Sequence, residues 1–172
     1  MEGQPAALFV YGTLKRGQLN SSLLTPYARS TERGWISGRL FDVGLFPALT
    51  EGEGQVYGEL VRLDAEKLAE VLAVIDALEE YREDDPDRST YLRRMVEVTT
   101  ERGDTAPAYA YFYNVAHVGI PCVDSFPPVE SGEWHGPSMG TGPALEGALD
   151  VFEQHVRTFR VSAPTRSRNE KE

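Results

Sequence analysis

The chain has 172 residues, 41% of them hydrophobic and 26% charged, which suits a single domain with a real core. Its 17 basic and 27 acidic residues give a formal charge of -10, which repels phosphate backbones and anionic lipid heads and argues against nucleic acid and membrane as partners. Cys122 is the single cysteine, which excludes an internal disulfide and a cysteine-based zinc site and reads as an ordinary loop or semi-buried thiol.

The N-terminal stretch "MEGQPAALFVYG" lacks a basic region followed by a long apolar segment. No run approaches the roughly 20 apolar residues that span a bilayer, so a cytoplasmic protein is expected. Ala6 to Tyr11 predict a first strand that feeds a glycine loop, and "NSSLLTPY" predicts a short helical turn stopped by Pro26. From Gly34 on, "GWISGRLFDVGLFPAL" and "GQVYGELVRL" carry β-branched and aromatic residues in patches of alternation, which predict two or three antiparallel strands. Gly38 and Gly58 inside them point to bulges, sharp bends or close backbone approach, as in small curved sheets.

Asp64 is placed to cap a helix, "AEKLAEVLAVIDALEEY", with Leu68, Val71, Leu72, Ile75 and Leu78 at spacings of three and four. The acidic "REDDPDRS" that follows lacks the spacing and glycine of a calcium loop and reads as a solvated turn, so no metal site is assigned. "TYLRRMVEVTT" and "PAYAYFYN" predict a hairpin turning at "ERGDTA". A glycine- and proline-rich segment, 115–143, is too long for an ordinary connection and reads as a cover or an ordered excursion. "PALEGALDVFEQHVRTF" then offers one apolar face with acids early and arginines late, and "VSAPTRSRNEKE" has little to bury. The expected organisation is one domain over 1–160 with that inserted segment, followed by a flexible tail over 161–172.

Gly12 and Gly17 enclose four residues, the glycine spacing of a phosphate-binding loop. Such a loop needs Lys and then Ser or Thr after its second glycine, and here Gln18 and Leu19 follow Gly17. A dinucleotide fingerprint would need glycine where Leu14 stands. Two readings of "YGTLKRG" remain: a tight turn in which Gly12 supplies an unusual backbone angle, or a run of N–H groups able to cradle a carboxylate or a developing oxyanion.

A second anomaly lies in "IDALEEY". At about 100° per residue, Glu79 falls roughly 45° from the centre of the apolar stripe and Glu80 roughly 145° away, so Glu79 faces inward unless the helix frays first. A buried carboxyl has a raised pKa and is a candidate general acid and base; pairing with Arg93 or Arg94 is the structural alternative. His117, His135 and His155 share no ligand spacing, and no glycine-flanked serine elbow appears.

The ordered set "VYGTLKRG", "GRLFDVGLFPAL", "VYGELVRLD", "IDALEEY" with "YLRRMVEV", "AYAYFYN" and "SGEW", spanning Ala6 to Trp134, resembles the gamma-glutamyl cyclotransferase-like proteins, which include gamma-glutamylamine cyclotransferases and small bacterial relatives. The resemblance implies an α+β fold around a small, curved, partly closed, mostly antiparallel β-barrel with covering helices. It implies that the backbone of Tyr11, Gly12, Thr13 and Leu14 binds substrate, that Glu79 is catalytic, and that Tyr111 is a pocket wall or hydrogen-bond donor, a core role being open to it as well.

The reaction implied is intramolecular. The α-amine of a γ-glutamyl unit attacks its own γ-carbonyl, closing 5-oxoproline and releasing an amine or amino acid, with no cofactor and a small-molecule γ-glutamyl substrate as partner, and with the oligomeric state open. A non-catalytic module that holds a small γ-glutamyl ligand on the same fold is the competing class. The segment between Val115 and Val129 and the terminal helix depart from the shortest relatives and bear on the entrance to the site.

Overall fold

A computed structural model describes residues 4–137. The helix expected over "PALEGALDVFEQHVRTF", the tail and the end of the glycine- and proline-rich segment lie outside the described residues. Within them, five strands close into a barrel in the order β1-β3-β2-β4-β5: β1 Ala7–Val10, β2 Ala28–Asp42, β3 Pro47–Leu63, β4 Tyr91–Thr100 and β5 Thr105–Tyr113. All pairings are antiparallel except β1 with β5, where Leu8 sits opposite Tyr109.

The stretch from Ala28 to Leu63 forms two long strands, and its glycines bend the chain instead of ending it. The register of β2 on β3 shifts between Ser37 and Arg39, so Gly38 marks a bulge. At Gly58 a Cβ would stand 2.3 Å from the Val10 carbonyl oxygen, so only glycine lets β3 come this close to β1.

Alternation along the strands builds two cores. Leu8 and Val10 of β1 and Tyr109, Tyr111 and Tyr113 of β5 pack with Leu68, Val71, Leu72 and Ile75 of the single α-helix among the described residues, α1 (Leu68–Leu78). Phe9 and Tyr11 turn the other way and pack with Ile36, Leu40, Leu49, Val56, Leu60, Ala108, Ala110 and Phe112, which in a closed barrel is the interior. Both faces of β1 are therefore covered, and it is buried throughout, as its unbroken apolar run requires.

Asp64 does cap the helical segment. Its side chain accepts from the Glu66 amide and starts a 3-10 turn, Ala65–Lys67, that runs into α1. After β5 the chain does not leave the barrel. Val123–Ser125 forms a 3-10 turn, the Asp42 amide donates to the Pro127 carbonyl, Val129 donates to Leu40, and Tyr57 donates to Gly132. This strap carries Trp134 into the interior core, where it is 2% exposed. Gly132, at φ 74, fits where a Cβ would stand 1.9 Å from the Gln55 carbonyl oxygen.

Candidate functional site

The site forms where α1 ends, because that end departs from the pattern that built the helix. The Glu80 amide donates to Ala77 and the Tyr81 amide to Asp76, closing the turn by the two bonds of a Schellman motif. Glu80 occupies the left-handed position at φ 53, usually given to glycine, and is the only non-glycine residue with positive φ among those described. Its carboxylate is tied down, accepting the Thr90 hydroxyl at 2.5 Å, while its carbonyl accepts the Thr90 amide at 3.2 Å. The helical wheel is thus corrected for Glu80: the helix stops at Leu78, and Glu80 folds onto the start of β4 instead of facing water.

Glu79 is the cap residue of this turn, with its amide still bonded to the Ile75 carbonyl at 2.9 Å. Its carboxyl makes no hydrogen bond to a described residue. Although the residue is half-buried, protein packed around the carboxyl outweighs the water that reaches it: burial first, then the charges of Asp76 and Glu80, push it up to about 8. The helix ends early, yet the turn is closed, and Glu79 keeps an inward environment.

Neither arginine considered as a partner reaches Glu79. Arg94 pairs with Glu51 at the surface, and Arg93 donates to Asp76 Oδ2 at 2.5 Å while lying 5.3 Å from each of the Tyr81 and Tyr109 ring centres. Asp76 Oδ1 accepts the Tyr111 hydroxyl at 2.6 Å. The Tyr111 carbonyl in turn accepts the Tyr11 hydroxyl at 2.6 Å. Burial and the Glu79 charge raise Tyr11, and burial, Tyr11 and Glu79 raise Tyr91, so both phenols stay protonated beside the acid.

The glycine loop meets the same region through Pro47. A Cβ on Gly12 would stand 2.7 Å from Pro47 Cδ and Cγ, and the Pro47 carbonyl accepts the Tyr91 hydroxyl at 3.0 Å. Gly12 is therefore needed for close approach and not for an unusual angle; the positive φ of the loop, 81, belongs to Gly17. Thr13 is held by Asn20, whose Nδ2 donates to its hydroxyl at 3.0 Å and whose amide donates to its carbonyl at 2.8 Å. Leu14 anchors the loop by its side chain in the helix-side core.

The amides of Gly12, Thr13 and Leu14 donate to no described residue. Lys15 and Arg16 are spent elsewhere, on the Trp134 carbonyl and on Glu59. No group of three or more His, Cys, Asp or Glu among the described residues is arranged to hold a metal ion.

Of the residues singled out from sequence, Tyr11, Tyr111 and Glu79 interact with one another, and Gly12 reaches them through Pro47 and Tyr91. Asp76 and Tyr91 were missed. Asp76 had a legible signal, since it precedes Glu79 by three residues and so shares its face of the helix. Tyr91 had none beyond β propensity.

The family described as "Gamma-glutamyl cyclotransferase, AIG2-like" matches residues 8–136. The gamma-glutamylcyclotransferase family protein YtfP of Escherichia coli K12 is 30% identical over 127 residues, 74% of this chain and 94% of its own length. The gamma-L-glutamyl-butirosin B gamma-glutamyl cyclotransferase of Niallia circulans is 33% identical over 108 residues, 62% of this chain and 66% of that one. Among solved structures, an AIG2-like protein from Mus musculus superposes with a TM-score of 0.54 at 26% identity, covering 81% of this chain and 100% of that one. With its barrel, its loop and this match over most of its length, the chain belongs to the gamma-glutamyl cyclotransferase, AIG2-like family.

Proposed function

We propose that the protein is a cyclotransferase that turns a γ-glutamyl amine or γ-glutamyl amino acid into 5-oxoproline and the free amine, with Glu79 as the proton carrier. The observation that carries this is a carboxyl without a cationic partner among the described residues, raised by burial to about 8, with Tyr11 within reach of its charge at the head of a loop whose Gly12, Thr13 and Leu14 amides donate to no described residue. Glu79 as carboxylate takes a proton from the substrate α-ammonium. The freed amine attacks the γ-carbonyl, the new ring nitrogen gives up its second proton to solvent, and the tetrahedral oxyanion collapses, breaking the C–N bond as Glu79 returns the first proton to the departing amine.

The energetics favour this assignment. An ordinary Glu near pKa ~4.3 and an α-amine near ~8 are mismatched by roughly 5 kcal/mol for proton transfer. A Glu79 carboxyl at about 8 removes most of that mismatch. Because nucleophile and electrophile sit in one molecule, the site has to hold the folded conformer and exclude competing water more than to bring reactants together. The Gly12–Leu14 amides, which donate to no described residue, suit the substrate carboxylate or the developing oxyanion.

The test is to incubate the protein with γ-glutamyl amines, γ-glutamyl amino acids, glutathione and a bulky γ-glutamyl amine of the kind named for the Niallia circulans relative, with mass detection of 5-oxoproline. Product from at least one class is expected. Saturable binding across the panel without product would replace the enzyme by a binding module.

A further inference from the structure

We propose that Asp76 is a positioning residue for Glu79, a fixed negative charge one helical turn back that both faces Glu79 and keeps Arg93 away from it. This rests on Glu79 being the proton carrier. Both oxygens of Asp76 are committed: Oδ1 to the Tyr111 hydroxyl at 2.6 Å and Oδ2 to Arg93 at 2.5 Å. The clamp joins α1 to β4 and β5, and through the Tyr11–Tyr111 bond it reaches the Gly12–Leu14 loop.

Arg93 is the cation that this arrangement has to control. It is held by Asp76 and by the Tyr81 and Tyr109 rings, so its charge is neutralised before it can pair with Glu79. A direct Arg93–Glu79 pair would hold Glu79 ionised and too weak a base for an ammonium proton. The titratable groups that act on Glu79 or feel its charge are Asp76 and Glu80 from the helix end, Tyr91 from β4, Tyr111 from β5 and Tyr11 from the loop, while Arg93 of β4 is held on Asp76. Of these, Asp76 is the charge placed both to disfavour a second negative charge on Glu79 and to hold Arg93. Burial also raises Asp76 itself, against the pull of the Tyr111 hydrogen bond and the Arg93 charge.

The experiment is a titration of the Glu79 carboxyl by carbon NMR, with the resonance assigned by its loss in Glu79→Gln, in the wild type, Asp76→Asn and the double variant Asp76→Asn/Arg93→Gln. The double variant removes the half-buried pair together and so leaves no unpaired arginine should the single change prevent folding. We expect the titration midpoint to fall by about one pH unit or more in Asp76→Asn, a tenfold change in proton affinity, and by less in the double variant, with Asp76→Glu restoring the wild-type value. The acid limb of the 5-oxoproline pH profile should move with it. An unchanged Glu79 midpoint in folded Asp76→Asn overturns the role of Asp76, and an unchanged midpoint in the double variant overturns its direct repulsion of the Glu79 charge. Because the titration needs no turnover, that result is distinct from failure of the cyclotransferase assignment, which the absence of product from the wild type would show.

Discussion

The two ends of α1 are built on opposite rules. At its start, a capped 3-10 turn leads into Leu68, Val71, Leu72 and Ile75, which bury one apolar stripe against β1 and β5. At its end, within one further turn, come a clamped aspartate, a buried glutamate with no cation beside it, and a glutamate forced to positive φ. The first end obeys every preference of an amphipathic helix and holds the fold. The second breaks several in five residues, and such violations persist where the surrounding structure over-determines them, which is the pattern of functional sites.

That contrast is most sharply tested at Ile75, fully buried in the helix-side core. Ile75→Ala should lower stability in urea by about 2–5 kcal/mol, with little of the loss recovered by changing pH. A loss near zero would mean that α1 does not anchor the fold.

At the other end the sign reverses. Burial raises the Glu79 carboxyl from its ordinary 4.5 to about 8, so the folded protein keeps a proton that the unfolded chain releases between those values. Stability therefore declines as pH rises through that window. Glu79→Gln removes the decline and should stabilise the protein by about 1–2 kcal/mol at alkaline pH, the full linkage value being reduced by water at the half-buried residue, with almost no gain near pH 4. Equal Tm shifts at both pH values would contradict the buried-carboxyl account.

The smallest effects are expected at Glu80. Glu80→Gly loses the Thr90 hydrogen bond but relieves the backbone at φ 53, whereas Glu80→Ala loses the bond and keeps the strain. Glu80→Ala should therefore be less stable than Glu80→Gly by about 1 kcal/mol, read from thermal unfolding.

Much of this molecule is legible in its sequence because local chemistry dictates it. Strand β1, the hairpin turning at Gly103 and the apolar face of α1 follow from short-range pattern, and so does the inward turn of Glu79. Glycines inside a strand pattern point to a bulge, a sharp bend or a close approach, and Gly38 marks a bulge and Gly58 a close approach; whether they end a strand depends on what lies across from them, and the residue that Gly58 approaches is Val10, far off in sequence. The parallel contact of β1 with β5 that closes the barrel is likewise long-range.

Glu80 was misjudged because no glycine or proline marks the helix stop in "LEEY", so the wheel was carried past Leu78. The choice between Arg93 and Arg94 as a partner was open because alternation puts them on opposite faces of β4 without saying which acid each meets. The answer, Asp76 for one and Glu51 for the other, appears only when α1 is laid on the sheet.

The central claim is that the acid at the end of α1 carries the proton of the reaction. It is tested most directly by single-turnover formation of 5-oxoproline by Glu79→Gln beside the wild type, on whichever γ-glutamyl compound the wild type converts best. The prediction is substrate binding within about threefold of wild type and a rate lowered by about 10³-fold or more. Glu79→Gln that still turns over at the wild-type rate would remove Glu79 from the chemistry.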